Sequence, residues 1–182
     1  MVNDNAPNEI MSLTATSTSP TDTLRQGDLG THASRTFMLA ELGLLFEAVP
    51  ASANEEGYLH AVLDDNVLLK RTIATRGKSL RHLRELYGLT SRFVLFGPLR
   101  ELWAHDAKGR PLLALLTALV QDGLLRATGG VVLEAQAGAL ITAEALAAAV
   151  EQAYPNRLAP AVLAKVGRNT GSSCPSSIAS RR

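Results

Sequence analysis

The chain of 182 residues has one cysteine, Cys174, few aromatic side chains (4%) and almost no net charge, +1 at pH 7. Each shortage excludes something. A lone cysteine closes no internal disulfide and supports no cysteine-based metal cluster, so a reducing cytoplasm is the natural setting. With so little net charge, any attraction for a polyanion must come from a local patch and not from the overall field. No apolar run approaches the roughly 18 residues needed to span a bilayer. The first residues lack the basic and apolar regions of a signal peptide, and Asp4, Glu9, Asp22 and Asp28 argue against an acid-poor transit peptide. The expectation is a soluble, cytoplasmic protein with no membrane partner.

Parts for catalysis and metal binding are also scarce. The histidines, His32, His60, His82 and His105, stand neither four residues apart nor beside the cysteine, so no zinc site is expected. His82 falls in a basic helix and is expected to be exposed. Asp64 and Asp65 are adjacent and point apart, which suits a cap or a turn better than paired acid–base work. "GKS" at 77–79 ends like a phosphate loop, but the frame requires glycine where Thr72 stands, and no strand precedes it. Ser172 and Ser173 have no histidine base at a meaningful spacing. The reading is therefore non-enzymatic, with no cofactor.

What the chain does have is apolar material, 46% of its residues, dominated by leucine and alanine. That composition predicts a mainly α fold with a buried core. Residues 1–34 are rich in Ser, Thr, Asp, Asn and Pro and are expected to be disordered; 173–182 form a small, polar, flexible tail. Between them, a helical unit over 35–90 and a helical region over 91–172 are expected. "TFMLAELGLLFEAV" is apolar nearly all round, as in a core helix ended by Pro50. Asn54 is placed to cap a second helix whose first turn holds Glu55 and Glu56. A third helix starts near Thr72 or Thr75 and ends at Tyr87, with Gly88 as its left-handed terminator. Gly97-Pro98 predicts a kink, or two short helices, in "SRFVLFGPLRELWAHD", where Trp103 is placed in the core. "RPLLALLTALVQDGLLRAT" predicts one buried helix opened by Pro111 and burying Leu112, Leu113, Leu115, Leu116, Leu119 and Val120. "GGVVLEAQAGALIT" is too glycine-rich for a helix and fits a loop or a short β-ribbon. Thr142 caps the next helix, and Pro160 opens the last.

The sharpest feature is "DDNVLLKRTIATRGKSLRHLRELYGL", residues 64–89. Lys70, Arg71, Arg76, Lys78, Arg81 and Arg84 supply a third of the chain's 18 basic residues, and Glu85 is the acid among them. Helix, short connection, second helix is the outline of a helix-turn-helix unit. Here it comprises a helix at about 55–64, a connection in which Val67 and Leu68 or Leu69 reach the core, and a helix at about 73–87. On a wheel centred on Leu80, Leu83 and Tyr87 fall on one side, Arg81 and Lys78 lie at about 100° and 160°, and Arg76 and Arg84 flank the apolar stripe. Lys70, Arg71, Thr72 and Thr75 gather at the helix start, where N–H groups and the macrodipole favour anions. Ser79 completes the polar set. Arg, Lys, Ser and Thr at the start of an exposed helix are what a DNA-reading helix presents to phosphates. The plainer alternative is a solvated face with Arg84 paired to a nearby acid, though such faces usually mix signs. Contact with four phosphates predicts a salt slope of about −3.6.

The same segment resembles the signature of the BrxA family, small proteins of BREX phage-defence loci, through Asn66, Leu68, Leu69, Lys70, Thr75 and Arg76. The resemblance continues through "PLRELWAHDAKGRPLLALLTALVQDGLLRAT" and covers roughly residues 36–172. It implies a mainly helical protein with a helix-turn-helix or winged-helix-like unit that binds double-stranded DNA beside other BREX proteins, without activity of its own. On that reading residues 129–141 are the candidate wing. One departure stands out: after "GRNTGSS" the family continues with an aromatic residue, whereas this chain has Cys174-Pro175, as a premature or frame-shifted ending produces. The alternatives are a helical protein-interaction adaptor built on the leucine-rich helices, a transcriptional regulator with the same unit, and RNA binding by the same helix.

Overall fold

The structure, a computed structural model, describes residues 35–136 and 139–173. The expected N-terminal segment 1–34 and the tail from Cys174 onward lie outside the described residues. Within them every regular element is a helix, and no strand occurs. In chain order these are α1 (Leu39–Ala48), α2 (Glu55–Leu63), α3 (Ile73–Tyr87), α4 (Phe96–His105), α5 (Arg110–Gln121), α6 (Gly123–Ala127), α7 (Gly129–Glu134), α8 (Ala143–Ala153) and α9 (Pro160–Ser173).

Several boundaries follow directly from local chemistry. Asn54 begins α2 by accepting a hydrogen bond from Gly57 N at 3.0 Å. Thr72 and Thr75 form a reciprocal capping pair at the start of α3. Gly88, at φ 77°, ends α3 in a conformation that a side chain resists. Thr142 caps α8 by accepting from Ala145 N at 3.2 Å, and Pro160 opens α9.

Other expectations require correction. Gly97-Pro98 causes no kink, because α4 begins at Phe96 and the proline falls in a first turn whose N–H groups have no intrahelical partner anyway. The long leucine-rich helix breaks at Asp122, whose carboxylate accepts from Leu125 N at 3.0 Å, and the chain turns by 100° there. Helix α5 buries its small residues, Ala114, Thr117 and Ala118, because α3 and α4 both approach it closely. Its leucines straddle that seam, leaving Leu112 56% and Leu116 52% exposed. Gly129–Glu134 is helical despite its glycines; both lie in the first turn, and α6 and α8 pack against the segment.

The few aromatics are concentrated in one place. Phe46 meets Tyr58, Phe96 and Trp103 edge-on at 6.5, 6.1 and 5.3 Å between ring centroids, an arrangement that suits ring quadrupoles. Around this cluster α1–α5 bury Leu42, Leu45, Val62, Leu83, Leu86 and Leu89. A second, smaller core joins Leu124, Val150 and Val166. Helix α6 links the two, since Leu125 belongs to the first core and Leu124 to the second.

Candidate nucleic-acid interface

Helices α2 and α3 pack on each other, and α3 also packs on α5. With neighbours on two sides, α3 buries a wide arc: Ser79, Leu80, His82, Leu83, Leu86 and Tyr87. That arc covers about 160° of its circumference, wider than the leucine stripe alone. His82 is thus buried, not exposed, with Nδ1 3.2 Å from a Glu85 carboxylate oxygen. Ser79, 3% exposed, is likewise removed from any external ligand.

The six cations of this segment divide into two groups. Lys70 reaches back to Glu41 of α1 at 3.0 Å. Arg84 pairs with Glu55 in the first turn of α2. Arg76 donates from Nη1 to Leu63 O at 2.7 Å, so its guanidinium ties off the C-terminal end of α2. The wheel carries the signal for this: Arg76 sits at about 40° from Leu80, between it and Leu83, and so points inward. These three side chains hold the α1–α2–α3 corner together and are not available as a set to an outside anion.

The second group is Arg71, Lys78 and Arg81. Arg71 and Lys78 are exposed and make no ion pair or hydrogen bond through their side chains among the described residues. Arg81 is exposed on the same stripe as Lys78, one turn on, with Nε 3.7 Å from Glu85. At that exposure such a pair contributes little and leaves most of the guanidinium facing water. The start of α3 stands clear of its neighbours: Arg71, Thr72, Ile73, Ala74 and Thr75 are all exposed, and the first turn holds no acid. The hydroxyls of Thr72 and Thr75 are committed to the cap. Of the pair expected to supply a core residue, Leu68 is buried at 2% and Leu69 is exposed at 76%, and Leu69 shares this end with Ile73, exposed at 72%. The wheel places Ile73 on the side of Leu80, and only the overhang of the first turn exposes it.

Arginine serves helix ends elsewhere too. Arg100 donates to Val49 O at the end of α1 and to the Tyr58 hydroxyl, with its guanidinium 4.4 Å from the Phe46 ring centre. Arg110 donates to Trp103 O in the last turn of α4 at 2.9 Å. Arg126 donates to Leu119 O and Val120 O in the last turn of α5, each at 2.8 Å. Together with Arg76, these residues satisfy carbonyls that a helix cannot pair internally, at its negative end.

Among the described residues no three His, Cys, Asp or Glu side chains gather into a metal-binding group. His60 lies 3.1 Å from Asp65 and 3.8 Å from Asp64, an exposed cluster at the end of α2. Among the described residues no single helix is long and apolar enough to cross a membrane. No known family model, curated protein or solved structure matches the chain.

Proposed function

We propose that the protein binds double-stranded DNA without catalysing a reaction, as an accessory of a BREX-type phage-defence system of the BrxA kind. The observation that carries the DNA reading is the overhanging first half of α3. It offers Arg71, Lys78 and Arg81 to solvent on an acid-free helix start, while its other face is anchored by Leu80, Leu83 and Tyr87. The helix–connection–helix outline of α2 and α3 is the supersecondary unit that places a second helix in a major groove. The footprint is smaller than the sequence suggests. Three phosphate contacts give a salt slope of about −2.7.

Replacing Arg71, Lys78 and Arg81 together with Ala should weaken binding to every duplex sequence in a low-salt mobility shift and flatten the salt dependence. Since none of the three side chains is buried, the variant should melt with the wild type. A folded triple variant that binds as wild type removes the basis of this reading. The defence assignment has its own test in the neighbouring genes: a methyltransferase, a large ATPase and a phosphatase-like gene support it.

A second reading, a helical adaptor, is favoured by the exposed Leu112 and Leu116 one turn apart on α5. Purification that recovers a partner protein with no retained DNA, and loses that partner on Leu116→Glu, favours the adaptor.

A further inference from the structure

We infer that the cleft between the start of α2 and α4 binds a small carboxylate with an apolar body, seated on the free edge of Arg100; this goes beyond the DNA reading and does not depend on it.

The turn before α2, the first residues of α2, the segment 89–94 and α4 line a cleft of about 1090 Å³, and Arg100 is part of its wall. That volume stands at the upper end of small-molecule sites, about 300–1,000 Å³. Arg100 is the one lysine or arginine among the described residues that is buried, at 9% exposure. Arg76, Arg110 and Arg126, which also serve helix ends, keep more of their surface in water. A guanidinium does not shed its charge, and a buried charge is costly unless it is paired. Yet the partners of Arg100 are all neutral: Nε donates to the Tyr58 hydroxyl at 3.1 Å, Nη2 donates to Val49 O, and the group lies over the Phe46 ring. It makes no ion pair among the described residues. Nη1 has no partner, and it is not one of the enclosed polar atoms that lack one, which are Arg76 Nε, Trp103 Nε1 and Glu151 Oε2. It therefore opens onto space, and the space that Arg100 borders is this cleft. A deep cation with an unused donor edge on a cavity is a seat for an anion.

The other walls select the kind of anion. Leu59 and Val94 line the same cleft and are 40% and 73% exposed, so the occupant has an apolar body for them to cover. Arg84 is already paired with Glu55, which leaves Arg92 and Arg100 set against Glu56 and Glu101. That balance accepts one further negative charge more readily than the nearly two of a phosphate monoester. The flat fork of a guanidinium also matches a carboxylate.

The test is titration calorimetry of the full chain at pH 7 with octanoate, hexanoate, octan-1-ol and octyl phosphate, backed by melting temperatures. Octanoate should bind saturably and raise the melting temperature. Octan-1-ol, which keeps the chain and lacks the charge, should bind at least about tenfold more weakly. Hexanoate, shorter by two methylenes, should bind about 15-fold more weakly, and octyl phosphate should also bind more weakly than octanoate. Arg100 itself ties Val49 to Tyr58, so the variants are placed on exposed residues of the cleft and should melt with the wild type. Arg92→Ala should leave octanoate affinity within about twofold, as expected for an exposed charge. Val94→Glu should lower it several-fold through like-charge repulsion and loss of apolar cover. Equal affinity for octanoate and octan-1-ol overturns the carboxylate seat. Loss of octanoate binding in Arg92→Ala overturns Arg100 as that seat, and a preference for octyl phosphate overturns the choice of a single charge. Absence of saturable octanoate binding at millimolar concentration overturns the inference as a whole. None of these results bears on duplex affinity, so the DNA reading stands or falls separately.

Discussion

At the scale of single residues, Tyr87 shows how a core group sets a pH limit. Its hydroxyl donates to Phe37 O, and burial, followed by the nearby charge of Glu41, pushes its pKa far above the ordinary phenol range. The unfolded chain releases this proton above about pH 10 while the folded chain retains it, so stability falls as pH rises past that point, by about 1.4 kcal/mol per pH unit. Tyr87→Phe should lower stability at neutral pH by about 1 kcal/mol and make the alkaline decline shallower in denaturant titrations run between neutral pH and pH 11. Leu69 is the opposite kind of residue, a surface position that lowers stability. Its left-handed backbone, at φ 53°, costs about 1–2 kcal/mol relative to the ordinary helical region.

At the scale of elements, the informative comparison is between Arg76 and Lys78, two cations two residues apart with opposite assignments. Arg76→Met should destabilise the protein by about 1.5–3 kcal/mol, the range for a hydrogen bond to a charged group, through loss of its bond to Leu63 O. Duplex affinity of the folded fraction should stay unchanged. Lys78→Ala should do the reverse, and calorimetry with mobility shifts on the same samples separates them. How much of this the sequence revealed depended on where each cause lies. Caps are local, so Asn54, Thr72, Gly88 and Thr142 were legible from a few residues each. Burial on α3 depends on how many helices touch it. A wheel centred on one leucine stripe located Arg81 and Lys78 correctly but missed the inward placement of His82 and Ser79, which required knowing that α5 closes the second side. The break at Asp122 was visible in "QDGLL" as a cap followed by glycine, yet the leucines on either side outweighed it. The exposure of Leu69 and Ile73 left no trace in composition or period, because it results from one helix end extending past its neighbours.

At the scale of the whole molecule, two cores meet through one short helix. On α9, Gly167 faces the backbone of Ala143 on α8 with no room for a side chain. Gly167→Val should therefore force α8 and α9 apart. In hydrogen exchange, amides of α8 and α9 should lose protection while α1 to α5 keep most of theirs, and the α3 end should still bind DNA. Equal loss throughout would mean that the Leu124 and Leu125 connection makes the two cores one cooperative unit. The guanidinium groups at the ends of α1, α2, α4 and α5 have a broader consequence for anyone redesigning this chain. Exchange every arginine for lysine and the titration curve near neutrality, the isoelectric balance and the long-range potential would scarcely move. A lysine ammonium is compact and strongly hydrated, lacking the flat, forked donor that reaches two carbonyls at once. Such a rewritten protein would match the original in every bulk electrical measurement and still come undone at four corners.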